Sequence, residues 1–598
     1  MSRNAGQGTL SLDHPYLTKQ LIAYIGNKRA LQPLLYRVFS RLVDGGSGGV
    51  RGSGGHPGFS PTSAPVFLDP FAGSGSVARL ARYLGYRVLA NDWEHYAYVL
   101  NYAHLGISRT EAQGLFRANG GPEAILAELN ALGEPAEADR YISRYYAPAR
   151  TEAADYRRER LFYTRENALI IDAVRTRIEA MYPGPVGEGG ATIRSGKEKM
   201  LLLAALLYPC ATHTNTSGVF KACHKGFGGH SGDALGRILR PIRLQVPVLI
   251  DSAEPGEVGC EDALKFVRSR PADLCYLDPP YNQHQYGSNY HLLNTVALWD
   301  KPPVDNELRE DGRLRHKAGI RRDWVNTRSD FCYRRSAPAA FRRLLESIDA
   351  RHIVLSYNTE GIICFDELVD LMSSQGRVEL YGNEYVKYRG GKQSLSRQVH
   401  NLEFVLVLDR SASTSAADRR RLEQAVMSNR LGVMMKRSFR PDRVRRRFAL
   451  EPDSRHRLPI RLNGGTLELP MPHLYRFAPE AAALVEATDT PGAAGELQRL
   501  LDKLEACELT DRREEIQVLV GILGSGRQRD SVGEPEQEAL QKRILWLLRK
   551  FAHRKYREDF ERTLSELRAF TRREAKRFAP LIRGLEEIEA LARARFSG

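Results

Sequence analysis

The chain has 598 residues, which is too many for one ordinary hydrophobic core, so we expect two or three domains. Its formal net charge of +16 favours nucleic acid as a partner, although charge alone leaves a merely basic soluble protein as the alternative. The 7 cysteines form no CxxC pair and no zinc-type cluster with histidines, which favours free thiols in a reducing compartment. No secretory signal is visible, and the longest apolar run, residues 200–208, is too short to cross a bilayer. We therefore expect a cytoplasmic protein that does not enter a membrane.

The first half of the chain predicts helices and strands in alternation. Apolar spacing predicts a helix over residues 19–42, and the Gly/Ser/Pro-rich residues 44–64 predict a flexible loop. A strand at 66–68, a helix at 75–84 and a strand at 86–90 follow. The pattern is then mainly helical from 105 to 208, and a polar, Gly-rich segment occupies 212–232.

Short apolar strands return in the middle of the chain, with helical stretches between most of them. This arrangement predicts an α/β fold with a largely parallel sheet covered by helices on both faces. Residues 411–417 predict a linker, and beyond them the chain is basic and mainly helical, most strongly at 535–596. The four predicted strands are residues 246–250, 274–277, 352–355 and 403–408.

A glycine-rich turn follows the first strand and reads Asp69-Pro70-Phe71-Ala72-Gly73-Ser74-Gly75. Glycines at such a turn let the backbone approach a ligand closely, and the N-terminus of the next helix adds unpaired N–H groups. Asp69 suits the ammonium of a methionine moiety better than a pyrophosphate, and Asp92, at the end of the next strand, suits ribose hydroxyls. Either piece alone is compatible with an ordinary turn. Together, on consecutive strands, they favour an adenosyl cofactor.

The sequence Asp278-Pro279-Pro280-Tyr281 follows the strand at 274–277. The two prolines prevent a regular ladder and fix an extended turn at the sheet edge where open α/β sheets bind ligands. Asp278 and the carbonyl of Pro279 can accept both hydrogens of an exocyclic amine, which directs the nitrogen lone pair at a sulfonium methyl. Tyr281 offers a face for stacking of an extruded base. This chemistry needs alignment and no metal.

These segments resemble, in order, the motifs of the D12 class of DNA adenine-N6 methyltransferases, the class containing Dam-type enzymes. The resemblance covers about residues 12–409 and implies a Rossmann-like sheet that binds S-adenosylmethionine. It implies that Asp278, Pro279, Pro280 and Tyr281 are catalytic. It also implies a set of cofactor-binding residues, namely Tyr24, Gly26, Lys28, Asp69, Pro70, Phe71, Gly73, Gly75, Asp92 and Asp262.

The same resemblance implies double-stranded DNA as the partner. Residues 215–227 resemble a target-recognition hairpin, residues 282–291 resemble a target-contacting loop, and Ser356-Tyr357-Asn358 resembles a strand-end motif of one subgroup. The expected DNA contacts are Asn215, Ser217, Lys221, Lys225, Asn282, Gln285, Tyr286 and Asn289.

The expected domains are an N-terminal cofactor-motif helix at 1–43, a catalytic domain at 65–105 and 246–410, a helical and hairpin target-recognition insertion at 106–245, and a basic, mainly helical extension at 411–598. The extension has no counterpart in the family and could grip phosphates, bind a partner subunit or associate with itself. The resemblance implies a modification enzyme of a restriction–modification or phage-defence system. An RNA adenine methyltransferase, an amino-cytosine methyltransferase and a non-catalytic DNA-binding protein are the alternatives. The aromatic and basic residues at 381–393 fit either a DNA contact or a polar loop.

Overall fold

The computed structural model describes residues 12–44, 64–186, 194–229, 232, 234–252, 254–358, 361–381, 403–420, 422, 439–449, 457–462, 465–470, 493–509, 511–524, 534–553 and 556–597. Most of the expected loop at 44–64 and nearly all of the aromatic-basic segment at 381–393 lie outside these residues. The described residues form two compact units, one ending at residue 415 and the other beginning at residue 416.

The first unit is built on a 7-stranded sheet with the order β3-β2-β1-β4-β5-β7-β6. Neighbouring strands from β3 to β5 are parallel, and β7 pairs antiparallel with both β5 and β6. The sheet therefore matches the predicted Rossmann-like class. Its strands are β1 (Val66–Asp69), β2 (Arg87–Asn91), β3 (Glu257–Gly259), β4 (Ala272–Leu277), β5 (Ala350–Asn358), β6 (Arg377–Tyr381) and β7 (Glu403–Asp409).

Helices surround this sheet. One apolar core lies against α2, α3 and the strands and includes Phe39, Phe67 and Tyr276. A second core joins α4, α8, α9 and α13 and includes Leu203 and Leu293. The helices are α1 (Pro15–Thr18), α2 (Gln32–Asp44), α3 (Ser76–Tyr83), α4 (His95–Asn101), α5 (Arg109–Gly114), α6 (Pro122–Asn130), α7 (Ile142–Tyr145), α8 (Arg165–Met181), α9 (Arg194–Thr212), α10 (Leu235–Leu239), α11 (Ala263–Val267), α12 (Tyr286–Asn289), α13 (His291–Leu298), α14 (Ala337–Ser347) and α15 (Phe365–Ser373).

The predicted strands at 66–68, 274–277, 352–355 and 403–408 are confirmed within the bounds of β1, β4, β5 and β7, and the predicted strand at 86–90 is confirmed as β2, which lies one residue further along the chain. The predicted strand at 246–250 is wrong. Pro247 has no N–H to donate to a ladder, and the side chain of Gln20 bonds the backbone on either side of it. Its Nε2 donates to the carbonyl of Val246 at 3.1 Å, and its Oε1 accepts from the N–H of Val248 at 2.6 Å.

The predicted helix at 19–42 is only partly correct. Helical structure begins with a 3-10 turn at Lys28–Leu31 and continues as α2, whereas residues 19–27 are not helical. Those residues instead contact other segments, since Gln20 bonds Val246 and Val248 and Tyr24 stacks on Tyr290, and these tertiary contacts override the helical spacing of the sequence.

The second unit is mainly helical, as expected, but it also contains an antiparallel pair of strands, β8 (Arg457–Leu462) and β9 (Gly465–Pro470). Leu519, Ile544, Leu548, Leu567 and Leu585 belong to its own buried apolar cluster. None of the helices in the described ranges is both long and apolar enough to span a membrane. The helices of the second unit are α16 (Pro441–Phe448), α17 (Ala493–Glu505), α18 (Arg512–Gly524), α19 (Glu534–Phe551), α20 (Arg557–Thr571) and α21 (Ala579–Ser597).

Candidate active site

Two aspartates lie where the strand order of the sheet reverses. β1 is flanked by β2 on one side and β4 on the other, so the chain leaves these strands in opposite directions and opens a crevice at their carboxyl ends. Asp69 is the last residue of β1, and Asp278 directly follows β4. Burial raises the pKa of Asp69 well above its ordinary value, and the nearby negative charge of Asp278 raises it further. The two motifs that the sequence singled out therefore meet at this edge.

The glycine-rich turn after β1 is shaped by the close approach of Tyr24. Gly73 has a φ of +52°, and a Cβ added to it would lie 2.8 Å from the Tyr24 ring. Gly75 has a φ of +79° and is the N-cap residue of α3. Asp69 Oδ1 accepts a hydrogen bond from the N–H of Phe71 at 3.2 Å. Glycine is required at residue 73 by both conformation and space.

Side chains at the end of β2 fasten the neighbouring strand ends. Asp92 Oδ2 accepts from the N–H of Gly73 at 2.8 Å, and its Oδ1 accepts from the N–H of Glu94 at 2.9 Å. Asn91 Nδ2 donates to the carbonyl of Glu261 at 2.9 Å. Burial raises the pKa of Asp92 to about 6 even though these backbone N–H groups lower it.

Asp262 lies beyond β3, at the beginning of α11. It caps the helix, since its Oδ1 accepts from the N–H groups of Leu264 at 3.0 Å and Lys265 at 3.3 Å. The same residue lines the cavity at the sheet edge. The Asp262 side chain therefore caps α11 and also borders the cavity, where a ligand can reach it.

Lys28 lies beside Asp278. Its Nζ is 3.2 Å from Asp278 Oδ1 and 3.3 Å from Glu403 Oε1 on β7, and the lysine side chain is only 2% exposed. Burial alone would lower the pKa of Lys28, but Asp278 and Glu403 outweigh it and raise that pKa. Burial raises the pKa of Asp278 to about 6, although Lys28 acts in the opposite direction. Sequence reasoning placed Lys28 with the cofactor and did not identify Glu403.

Tyr281 is held by residues from two other segments. A Cβ added to Gly26, whose φ is +79°, would lie 3.0 Å from the Tyr281 hydroxyl. Lys28 Nζ lies 5.1 Å from the centroid of the Tyr281 ring, and Tyr357 packs its ring edgewise at 5.9 Å. Ser356, from the strand-end motif, places its Oγ 3.4 Å from Asp278 Oδ1. These contacts fix the orientation of the tetrapeptide.

An aromatic stack joins the N-terminal motif to the segment after the tetrapeptide. The Tyr24 ring lies 5.0 Å from that of Tyr290 and 5.3 Å from that of Tyr286, both stacked. The Tyr290 hydroxyl also accepts from the N–H of Ile25 at 2.8 Å. Tyr286, which we expected to contact DNA, packs here against Tyr24.

A cavity at this edge brings many of the predicted residues together. Two parts of the cavity wall were not predicted from the sequence. One is Glu94, and the other comes from residues 321–332, which we call the cover segment. Thr327, Arg328, Ser329, Asp330 and Phe331 of the cover segment line the cavity, but they form no local motif. Glu94 had a weak signal, since it lies two residues beyond Asp92 at the same strand end. The predicted residues in the cavity wall are Tyr24, Phe71, Asp92, Asp262, Asp278, Pro280, Gln285 and Tyr286.

The expected recognition hairpin is not observed, because described residues 213–229 contain no strand. Asn215 is fully buried, and its Nδ2 donates to the carbonyls of Leu161 at 3.0 Å and Gly226 at 3.2 Å. The N–H groups of Asn215 and Phe220 bond the carbonyls of Phe162 at 2.8 Å and Asn289 at 2.7 Å, and a single backbone bond, from His224 N–H to the Asn215 carbonyl at 3.0 Å, does not make a strand pair. In this structure Asn215 therefore organises the loop instead of presenting its amide outward.

The other candidate DNA contacts fall into two groups. Ser217, Lys221 and Lys225 are exposed. Asn289 and Gln285 are buried, at 2% and 7% exposure. Asn282 is partly buried, and its Oδ1 accepts from the N–H of His284 at 2.9 Å. In the part of the chain that the structure describes, no group of three or more His, Cys, Asp or Glu side chains could hold a metal ion.

The sheet, the glycine-rich turn and the Asp278 tetrapeptide define a Rossmann-like methyltransferase. Residues 24–317 match the family described as D12 class N6 adenine-specific DNA methyltransferase. The type II methyltransferase M.NlaIII of Neisseria lactamica is 30% identical over 353 residues, which are 58% of this chain and 92% of that protein. The chain belongs to the D12 class N6 adenine-specific DNA methyltransferase family.

Two further relatives are longer than the region they share with this chain. Modification methylase StsI of Streptococcus sanguinis is 29% identical over 64% of this chain and 51% of its own length. Type II methyltransferase M.FokI of Planomicrobium okeanokoites is 27% identical over 60% of this chain and 51% of its own length. The chain thus spans about half the length of these two relatives. No solved structure matches it.

Proposed function

We propose that the chain is a site-specific DNA methyltransferase that transfers the methyl group of S-adenosylmethionine to N6 of a flipped adenine. We further propose that it is the modification enzyme of a restriction–modification or related defence system, acting on duplex DNA in the cytoplasm. The observation that carries this proposal is the position of Asp278. It lies at the strand-order reversal, beside an acid-lined cavity, in a member of an adenine-N6 methyltransferase family.

The chemistry of the cavity fits a cationic nucleoside. In the cavity wall, burial raises the pKa of Asp92 to about 6 and that of Glu94 to about 7, and burial also raises the pKa of Asp69 at the end of β1, so these carboxyls lack compensating positive charge. S-adenosylmethionine carries a sulfonium and an ammonium and, when bound, supplies the methyl group. Asp69 would hold the ammonium and Asp92 the ribose hydroxyls. Asp262 would face the adenine amine, and the aromatic faces of Tyr24 and Phe71 would pack against the ligand.

The catalytic turn orients the amine of the target base. The carboxylate of Asp278 and the carbonyl of Pro279 accept the two N6 hydrogens, which leaves the nitrogen lone pair free to attack. Lys28 keeps Asp278 ionised so that both carboxylate oxygens are acceptors. Tyr281 provides the stacking face for the base, which is worth about 1–3 kcal/mol. Asp278 is also positioned to receive the proton that the amine loses, so alignment supplies most of the catalysis.

The substrate must be extruded from the duplex, because N6 of a stacked adenine cannot meet the methyl group in line. Exposed Lys221 and Lys225 lie on the loop at 213–229, whose Phe220 bonds to Asn289 just beyond the catalytic turn. These lysines are suited to contact phosphates beside the extruded base. Ser217, also exposed on this loop, is a candidate for a contact to a base or phosphate.

The test is nucleoside mass spectrometry after incubation with methyl-labelled S-adenosylmethionine and either duplex DNA or RNA of the same sequence. The proposal predicts labelled N6-methyldeoxyadenosine from DNA only. Asp278→Ala should abolish the label, while Asp370→Ala, which changes an exposed acid on α15, should not. Label in RNA adenosine or in N4 of cytosine would instead support an RNA adenine or an amino-cytosine methyltransferase.

A further inference from the structure

The side chain of Gln285 is paired with the backbone of Ser329. Its Nε2 donates to the Ser329 carbonyl at 3.3 Å, and its Oε1 accepts from the Ser329 N–H at 2.9 Å. The amide thus bonds both polar groups of one residue, as a neighbouring strand would. Gln285 is 7% exposed and Ser329 is half-buried, so the pair is partly shielded from water where it borders the cavity. Gln285 is therefore engaged within the protein, four residues after Tyr281.

Other contacts connect the cover segment to the same region. Thr327 Oγ1 donates to Glu94 Oε1 at 3.4 Å, and Cys332 Sγ donates to the carbonyl of His284 at 3.7 Å. A Cβ added to Gly287 would lie 2.9 Å from Thr327 Oγ1 and 3.2 Å from Trp324 Cβ. The first turn of α12 and the cover segment are therefore so close that a side chain at residue 287 would be crowded by Thr327 and Trp324.

The cover segment also reaches the cofactor side of the cavity. The Phe331 ring packs edgewise on that of Phe71, with centroids 5.3 Å apart and an interplanar angle of 84°. Phe71 belongs to the glycine-rich turn, and both rings line the cavity. One side of the cover segment thus meets the glycine-rich turn, and another is bonded to the segment that follows the catalytic tetrapeptide.

We propose that Gln285 is a positioning residue that holds the cover segment over the cavity and thereby retains the cofactor. The identity of the ligand rests on the proposed function, but the tie between Gln285 and Ser329 does not. This role replaces the direct DNA contact expected from the sequence. An amide suits it because its nitrogen donates to the carbonyl while its oxygen accepts from the N–H, whereas a carboxylate has no donor and a hydroxyl has a single oxygen for both bonds.

Three variants test the tie from both sides. Gln285→Ala removes both hydrogen bonds, and Gln285→Glu retains an acceptor for the Ser329 N–H but loses the donor. Of the two hydrogen bonds of the tie, Ser329→Pro removes only the one that the N–H donates; the φ of −82° at Ser329 and the extended backbone at Arg328 are compatible with proline. Gln113→Ala, which changes an exposed glutamine on α5 away from the cavity, is the matched control.

The measurements are amide hydrogen exchange across residues 321–332 in the cofactor-free protein and the dissociation constants of S-adenosylmethionine and of duplex DNA. We expect faster exchange in this segment for all three tie variants, and about a tenfold weaker cofactor affinity for Gln285→Ala, with unchanged DNA affinity. Gln285→Glu and Ser329→Pro should lose less cofactor affinity. Combining Ser329→Pro with Gln285→Ala should add little to the effect of Gln285→Ala alone, because both changes remove one interaction.

Unchanged exchange in the tie variants would overturn the proposal, and so would weakened DNA binding with unchanged cofactor binding in Gln285→Ala. Faster exchange in a folded variant with a wild-type cofactor dissociation constant would overturn the retention role. If the wild-type chain binds no S-adenosylmethionine, the proposed function and the retention role fail together, while faster exchange in the variants still supports the tie between Gln285 and Ser329.

Discussion

Replacing Lys28 by methionine removes the cation that lies between the carboxylates of Asp278 and Glu403. Methionine has a similar length and no charge, so it fills the space without a new ion. At a separation of 3.2 Å, the attraction between Lys28 and Asp278 is about 5 kcal/mol for an effective dielectric constant of about 20. Burial of both groups offsets part of this energy. An opposite charge at this distance typically lowers the pKa of a carboxyl by about 1–3 units.

Loss of Lys28 should therefore raise the pKa of Asp278 from about 6 towards about 8. At pH 7 the ionised fraction of Asp278 would fall from about nine-tenths to about one-tenth, so methyl transfer should slow about tenfold and recover as the pH rises towards 9. The assay is single-turnover methyl transfer to duplex DNA between about pH 5.5 and 9.5, which isolates the chemical step.

Glu403→Gln is the matched variant, and it should shift the pKa of Asp278 in the opposite direction. The negative charge of Glu403 raises the pKa of Asp278, so its removal should move the acid limb of the rate profile to lower pH. A Lys28→Met profile that is lowered equally at every pH, with its acid limb unmoved, would refute the electrostatic role of Lys28.

Three further outcomes are expected. The pKa of Asp92 is raised to about 6 and that of Glu94 to about 7, and a cationic ligand favours the ionised forms of both. Binding of S-adenosylmethionine should therefore release protons from the protein and become tighter as pH rises from about 5.5 to about 7.5. Calorimetry in buffers of different ionisation enthalpy checks this, and pH-independent affinity would contradict it. Gly73→Ala should weaken cofactor binding at least tenfold, measured by titration, because the positive φ and the Tyr24 ring both oppose a Cβ. Gly26→Ala should instead displace Tyr281 and lower the rate of methyl transfer more than the cofactor affinity, as measured by single-turnover kinetics and titration. A larger loss of cofactor affinity than of rate would contradict the role given to Gly26 in placing Tyr281.

The sequence predicted the central strands because each is a short apolar run next to a recognisable turn. It also placed Asp69 and Asp278 directly after predicted strands of a largely parallel sheet, and the structure brings the two together because parallel strands end at the same edge. It missed β3, whose residues Glu257–Gly259 contain only one strongly apolar side chain. It also missed β6, although the alternation of polar and apolar residues there is typical of a half-buried strand. The run at 246–250 misled because apolar character alone does not reveal that Gln20 bonds its backbone.

The residues of the site likewise fall into those that the sequence could predict and those that it could not. Residues within motifs could be located, because each motif has a local pattern. Partners supplied by distant segments could not be located, and Glu403 and Ser329 carry no local signal of their contacts with Lys28 and Gln285. The expected hairpin at 215–227 is wrong for the same reason, since the N–H groups of Asn215 and Phe220 bond to the distant residues Phe162 and Asn289.

The most direct test of the account is single-molecule sequencing of DNA from cells that express the wild-type chain or its Asp278→Ala variant. The account predicts N6-methyladenine at one defined sequence motif in the wild type and none at that motif in the variant. Equal methylation by the variant, or DNA from wild-type cells with no modified adenine, would contradict it.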